Sequence, residues 1–112
     1  MNIFEITDKT GRKIHLSKER WAHIRKKHPE VVNAEEVEET VKNPDKITFP
    51  KLDEKAGLYY KYFKHRHSPY KYLLVLVKYL NGEGYVVTTY YEDKIKWQIW
   101  YMKFIMIKKR IF

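Results

Sequence analysis

A predicted helix near the start of the chain carries a basic stripe that includes a titratable imidazole. Arg20, His23 and Lys27 have the spacing i, i+3, i+7, which places them on one side of a helix. Trp21 and His28 fall on a neighbouring side, turned by about 100°. An imidazole can exchange a proton near neutral pH, and cations attract phosphate. The helix therefore offers acid–base chemistry beside an anion-binding surface.

The second half of the chain offers hydroxyl, phenol and ammonium groups on predicted strands. Thr88 and Tyr90 are two residues apart and so share one face of a strand. Tyr59 and Lys61 do the same on another strand. Lys78 ends an otherwise apolar strand, where a charge is costly unless it meets solvent or a ligand. Such side chains can hydrogen-bond a phosphate, and aromatic residues among lysines can stack with unpaired bases.

These groups together fit the cleavage of RNA without a metal ion. A general base removes the 2′-OH proton, the 2′ oxygen attacks the adjacent phosphorus, and an acid protonates the leaving 5′ oxygen. Cationic and hydroxyl donors stabilise the charge that develops on the phosphoryl oxygens. The chain contains an imidazole, ammonium groups and hydroxyls, and lacks the paired acidic residues that a two-metal nuclease needs.

Each feature also has an ordinary structural explanation. His23 can be a solvated surface residue, and His28 can pack at the helix end, where its charge would suit the helix dipole. The strand pattern is also typical of a solvent-exposed sheet face. His65 and His67 could chelate a metal, but two ligands do not make a site, so we predict no metal ion and no cofactor.

Composition limits the class of protein. The 112 residues, with 44% apolar and 33% charged, predict a single domain over residues 1–112. The absence of cysteine excludes disulfides, thiolate catalysis and iron–sulfur clusters. The glycines form no nucleotide-binding fingerprint. Scarce Asn and Gln beside many Lys, Glu, Ile and Tyr are typical of thermophile proteins.

The net charge of +9 points to a polyanionic partner, although it can also simply keep the protein soluble. Basic residues dominate residues 1–29 and 57–112, and acidic residues dominate residues 30–56. No secretory signal opens the chain, and the apolar-rich residues 95–107 are too few and too charged to span a bilayer. We therefore predict a cytoplasmic protein with no membrane partner.

The hydrophobic pattern predicts an α+β domain, with an N-terminal hairpin and two helices packed on a twisted antiparallel sheet of about four strands. Ser17 is the expected N-cap of a helix that runs to about His28, and Asn33 caps the second. Residues 94–112 fit a strand or a helix, and we favour a strand that leads into an irregular or helical tail. The hairpin strands are predicted at 2–7 and 12–16, and the later strands at 46–52, 58–67, 70–80 and 85–92.

Residues 16–30, LSKERWAHIRKKHPE, resemble the Trp-x-His-Ile…His-Pro-Glu opening of phage and toxin nucleases in the barnase–EndoU–colicin–RelE-like superfamily. The order and spacing of further motifs extend this resemblance over about residues 14–100. The chain departs from the pattern in its Trp- and Met-rich end after Trp100. The further motifs are Asn43-Pro44-Asp45, Tyr59-Tyr60-Lys61, VLVK at residues 75–78 and VVTTY at residues 86–90.

The resemblance implies two helices followed by an antiparallel sheet, and metal-independent RNA cleavage, often by a toxin or a phage or mobile-element effector. Its implied partners are an RNA substrate such as tRNA or mRNA, and an antitoxin or immunity protein. Carried over by position, the catalytic residues would be His23 or His28, Lys61 with Lys78 as a second candidate lysine, and Thr88 with Tyr90. The expected RNA- or phosphate-binding residues are Arg20, Lys27, Lys78 and Tyr59.

Two other functions fit the same residues. A non-catalytic module could use the basic sheet and its aromatic residues to hold single-stranded nucleic acid. A structural protein could use its C-terminal segment as a partner surface, for example in a homodimer. The ribonuclease hypothesis requires that the early imidazole meets the ammonium and hydroxyl groups of the later strands around one pocket. The direct test is whether His23, Lys61 and Thr88 converge in one cleft.

Overall fold

The computed structural model describes residues 2–50, 55–66 and 71–92, which form two helices and a six-stranded sheet. This confirms the predicted α+β class, while the strand or helix expected in residues 94–112 lies outside the described residues. The elements in chain order are β1 (Asn2–Thr7), β2 (Lys13–Ser17), α1 (Lys18–Lys27), α2 (Ala34–Lys42), β3 (Lys46–Thr48), β4 (Ala56–Tyr62), β5 (Tyr72–Leu80) and β6 (Glu83–Glu92).

The sheet has the strand order β1-β2-β6-β5-β4-β3 and is mixed. All neighbouring strands are antiparallel except β2 and β6, which are parallel. The prediction of about four antiparallel strands was therefore wrong in detail, because the N-terminal hairpin forms but joins the sheet at its edge. Ile14 pairs with Gly84 at this junction. A Cβ on Gly84 would collide with the side chains of Ile14 and Val77, so glycine lets β2 approach β6 closely.

Both helices begin at the predicted caps. Ser17 accepts a hydrogen bond from a backbone N–H of α1 at 3.1 Å, and Asn33 accepts one from a backbone N–H of α2 at 2.9 Å. Helix α2 is tied to the sheet through Glu36, whose carboxylate accepts hydrogen bonds from the Arg66 guanidinium at 2.8 Å and from the Tyr91 hydroxyl. Local capping and these long-range contacts together fix the helix positions.

Alternation along the strands divides the side chains between two faces of the sheet. The exception is an irregularity in the β5–β6 pairing, where Leu76 pairs with Thr88 and Val77 with Val86. The helix face packs on Ile24 of α1 and on Val37 and Val41 of α2 to form the main core. The opposite face is termed the second face, and it has its own smaller buried apolar cluster. The helix face carries Tyr59, Leu73, Val75, Val77 and Tyr91, whereas the apolar cluster of the second face contains Ala56, Leu58, Tyr60, Leu74, Leu76 and Val87.

A buried hydrogen-bond network links the β1–β2 turn to β4 and β5. Tyr59 is 0% exposed. Its hydroxyl donates to the carboxylate of Asp8 and contacts the Tyr79 hydroxyl at 2.6 Å. Asp8 also accepts hydrogen bonds from the backbone N–H groups of Thr10 at 2.9 Å and Arg12 at 3.0 Å. Burial, followed by the hydrogen bond to Asp8, raises the pKa of Tyr59 well above its usual range.

The Tyr59→Phe variant is expected to lose about 1–3 kcal/mol of unfolding free energy at pH 7, because it leaves the buried Asp8 oxygen without its donor. Native Tyr59 keeps its proton above pH 10 while unfolded tyrosine ionises there, so its contribution to stability falls as pH rises from about 10. Urea unfolding at pH 7 and at pH 11 measures both effects. We expect a smaller alkaline loss in the variant, and equal losses would contradict this role of the network.

Candidate functional site

His28 is positioned by the end of α1. Its backbone N–H donates to the carbonyl of Ile24 at 2.7 Å, and its own carbonyl accepts from the N–H of Val31 at 3.0 Å. Pro29 disfavours a helical conformation at the residue before it, so the chain leaves the helix here. The His28 ring stacks on Tyr90 of β6, with ring centroids 5.2 Å apart and an angle of 20° between the planes.

Tyr90, which stacks on this imidazole, shares its face of β6 with Thr88. They are two residues apart on the second face, opposite Leu74 and Leu76 of β5. Burial, followed by the charge of Glu92, raises the pKa of Tyr90 well above its usual range. The phenol therefore stays protonated at neutral pH and can act as a hydrogen-bond donor.

The two neighbouring threonines of β6 have different environments. Thr89 is buried, and its hydroxyl donates to the carbonyl of Leu74 at 2.7 Å. Thr88 is half-buried, and its hydroxyl makes no hydrogen bond within the described part of the chain. Thr88 can therefore donate to a ligand without breaking a bond of the fold.

Lys78 brings a positive charge to the same face. In the β5–β6 register, Lys78 lies opposite Tyr85 and Leu76 lies opposite Thr88. Lys78 and Thr88 are thus diagonal neighbours, about 7–8 Å apart, a separation that a lysine side chain can span. We refer to His28, Lys78, Thr88 and Tyr90 as the second-face cluster. It combines an imidazole, an ammonium group and two hydroxyls.

His15 is a further imidazole on the second face, and the sequence prediction did not select it. Its Nδ1 lies 3.0 Å from the carboxylate of Glu5, and its Nε2 contacts the carboxylate of Glu83. The ring also stacks on Tyr85 at a centroid distance of 4.9 Å. Apolar residues on both sides of His15 in β2 were the available signal, since alternation then places His15 on the face away from the core.

Two of the predicted residues lie on the helix face instead. The Lys61 ammonium donates to the carbonyl of Asn43 at 2.8 Å and lies 3.7 Å from the carboxylate of Glu39. The structure therefore does not bring Lys61 together with Thr88, because the sheet separates them. The expected convergence of His23, Lys61 and Thr88 in one cleft is not found. Tyr59 is fully buried in the core and has no surface to offer RNA. Tyr59 and Lys61 share a face of β4 as predicted, but that face of the sheet lies toward α2.

The predicted basic stripe follows the outer surface of α1. His23 and Lys27 are exposed, and Arg20 is half-buried. Their side chains make no hydrogen bond or ion pair within the described residues. The two histidines thus differ in their surroundings. His28, at the end of α1, stacks on Tyr90 of β6, whereas His23 is exposed to solvent.

The described residues show neither a metal-binding cluster nor a helix that could cross a membrane. Residues 2–50, 55–66 and 71–92 contain no group of three or more His, Asp or Glu side chains placed to hold a metal ion. In the same ranges, no helix is long and apolar enough to cross a membrane. His65 is exposed and lies 3.5 Å from Glu36, whereas its possible metal-binding partner His67 lies outside the described residues.

One known protein family matches nearly the whole chain. The model of the family PBECR2, described as phage-Barnase-EndoU-ColicinE5/D-RelE like nuclease2, matches residues 4–108. The chain belongs to this nuclease family. The match confirms the resemblance seen in the motifs, and every residue of the second-face cluster lies within the PBECR2 region. No curated protein and no solved structure matches the chain significantly.

Proposed function

We propose that this PBECR2 protein is a metal-independent endoribonuclease whose active site is the second-face cluster. The observation that carries the proposal is the stacking of His28 on Tyr90, a residue that shares the second face of the sheet with Thr88 and Lys78. These are the groups that RNA cleavage by internal attack requires, and they come from the C-terminal end of α1, from β5 and from β6 within a chain of a nuclease family. Of the two lysines considered for catalysis, Lys78 takes the place of Lys61.

The proposed reaction is an internal transfer of the phosphoryl group. His28 removes the proton of the ribose 2′-OH, and the 2′ oxygen bonds to the adjacent phosphorus as the bond from phosphorus to the 5′ oxygen breaks. The imidazolium so formed can return the proton to the leaving 5′ oxygen. Lys78, Thr88 and Tyr90 stabilise the charged phosphoryl oxygens. The products are a 2′,3′-cyclic phosphate and a free 5′-OH.

Tyr85 offers a surface for a base next to this phosphate position. Its side chain is 43% exposed and lies opposite Lys78. His15 stacks on one side of the ring and is itself held by Glu5 and Glu83, so Tyr85 is firmly placed. Unpaired RNA bases stack on such aromatic side chains. This supports single-stranded RNA as the substrate class.

Incubation of the purified protein with a mixed RNA pool in EDTA tests the proposal. We expect cleavage products that carry 2′,3′-cyclic phosphate and 5′-OH ends. A matched oligonucleotide with 2′-deoxyribose throughout should stay intact because it lacks the nucleophile. Undamaged RNA, tRNA included, would contradict the proposal, as would products with 3′-OH ends. Salt-sensitive RNA binding without product would instead assign the protein to the non-catalytic binding modules.

We extend the proposal to a toxin or mobile-element effector role, which is supported by the phage, colicin and RelE-like relationships in the family description. Induced expression in a bacterial host should stop growth, and the His28→Ala variant should not. An antitoxin or immunity protein would then be a partner that restores growth. Equal growth with both forms would contradict the effector role.

A further inference from the structure

A small basic pocket lies where the β1–β2 turn meets the turn between β5 and β6. Its volume is about 230 Å³, and none of its six lining residues is acidic. Pockets for drug-sized ligands have volumes of roughly 300–1,000 Å³, so this pocket is smaller. It is still larger than the combined volume of several water molecules, each of which occupies about 30 Å³. The pocket therefore fits a compact group. The lining residues are Arg12, Lys55, Tyr79, Leu80, Asn81 and Gly82.

Arg12 supplies a fixed positive charge to this pocket. Its guanidinium carbon lies 4.1 Å from the centroid of the Tyr79 ring, and the group donates one hydrogen bond, at 3.0 Å, to the Thr10 hydroxyl. Guanidinium has five N–H donors, so most of them remain for a ligand. Within the described residues no carboxylate forms an ion pair with Arg12, since the nearby Asp8 is occupied by backbone, threonine and tyrosine donors.

The turn that lines the pocket opposite Arg12 offers polar groups and open space to a ligand. Asn81 and Gly82 have φ angles of 55° and 80°, which is the conformation of a tight two-residue hairpin turn. No heavy atom lies within 4 Å of the position that a Cβ on Gly82 would take, so the space there is open. Asn81 is exposed, and its side-chain amide can donate to an anion.

We propose that this turn pocket binds a phosphate group, with Arg12 as the principal contact. The ligand class is a phosphate monoester or diester, from either a terminal or a backbone phosphate of RNA. The assignment to RNA rests on the proposed function, whereas phosphate binding itself does not. The pocket is a binding site distinct from the second-face cluster, because Arg12 and Tyr79 belong to the helix side of the sheet.

Titration of the isotope-labelled protein with inorganic phosphate, followed through its amide NMR signals, tests the site. We expect saturable shifts at Asn81 and Gly82 in the unmodified protein. Arg12→Gln should weaken phosphate binding by about tenfold or more, the effect of losing a charged hydrogen bond. Lys9→Gln removes the same charge from the same turn outside the pocket and should leave binding unchanged. Absent shifts, or equal losses in the two variants, would overturn the proposal.

Oligonucleotides made of 2′-O-methyl RNA, which cannot be cleaved by internal attack, distinguish the two phosphate sources. If the ligand is a terminal phosphate, a 5′-phosphorylated strand binds more tightly than its 5′-OH form, and Arg12→Gln removes the difference. If it is a backbone phosphate, Arg12→Gln weakens both strands equally. If Arg12→Gln changes the binding of neither strand, the assignment to RNA is overturned. Phosphate binding by a protein that leaves RNA intact would contradict the ribonuclease proposal and retain the pocket.

Discussion

Replacing His28 with alanine is expected to slow RNA cleavage about 10²–10⁴-fold, because the reaction loses its proton acceptor. His23→Ala is the matched control, since it removes an imidazole from the same helix. We expect its cleavage rate to stay close to that of the unmodified protein, because His23 is exposed on α1 and makes no hydrogen bond or ion pair within the described residues. Initial cleavage rates under single-turnover conditions give both values.

Two readouts separate a catalytic effect of His28→Ala from a structural one. The variant should retain binding of an uncleavable 2′-O-methyl RNA, and its melting temperature should show that it folds. Restored cleavage on addition of free imidazole would support an acid–base role. A rate loss in His23→Ala with normal cleavage by His28→Ala would place the chemistry on the basic stripe of α1 and contradict the second-face assignment.

Replacing Lys78 with alanine is expected to reduce the cleavage rate about 10²–10³-fold, the usual effect of removing one donor from a developing oxyanion. Lys61→Ala is the matched control, because both variants remove one ammonium group from the central sheet. Lys61 instead binds Asn43 and Glu39 on the helix face. We expect its loss to lower the unfolding free energy by about 0.5–1.5 kcal/mol while the rate of RNA cleavage is retained.

The two lysine variants also differ in their dependence on salt. Loss of a phosphate contact reduces the slope of log affinity against log salt by about one. Lys78→Ala should show this change with uncleavable RNA, and Lys61→Ala should not. The reverse pattern would move the phosphate position to the helix face, where Thr88 and Tyr90 cannot reach it.

Local features of this fold were predictable because their signals lie within a few residues. Ser17 and Asn33 each cap the helix that follows, and Pro29 ends α1 close to where it was expected. The Asn81-Gly82 turn joins β5 to β6 because both residues accept a positive φ. Such signals determine where elements begin and end, so the order of helices and strands followed from the sequence.

Features that depend on distant residues were not predictable in the same way. The parallel pairing of β2 with β6 joins Ile14 to Gly84, and no local pattern marks such a contact. Alternation correctly placed Tyr59 and Lys61 on a common face, but only the packing of α2 determines which face it is. For this reason the sequence did not show that Lys61 lies on the helix face, whereas Lys78 shares the second face with Thr88.

The residues of the candidate site also divide into those with a local sequence signal and those whose position depends on distant parts of the chain. Thr88 and Tyr90 could be paired from their spacing, since residues two apart share a strand face. Our proposal of His28 rather than His23 rests on the stacking of His28 on Tyr90, which the sequence did not reveal. Alternation in β2 places His15 on the face away from the core, but its contacts with Glu5 and Glu83 depend on the pairing of β2 with β1 and with β6.

The most direct test of the account is to map where RNA binds. An uncleavable 2′-O-methyl RNA should be titrated into isotope-labelled protein while the amide NMR signals are followed. We expect the largest shifts at His28, Lys78, Thr88 and Tyr90, with small changes along α2. Shifts confined to Lys61 and the helix face would contradict it, because the second-face cluster would then be a feature of the fold with no part in RNA cleavage.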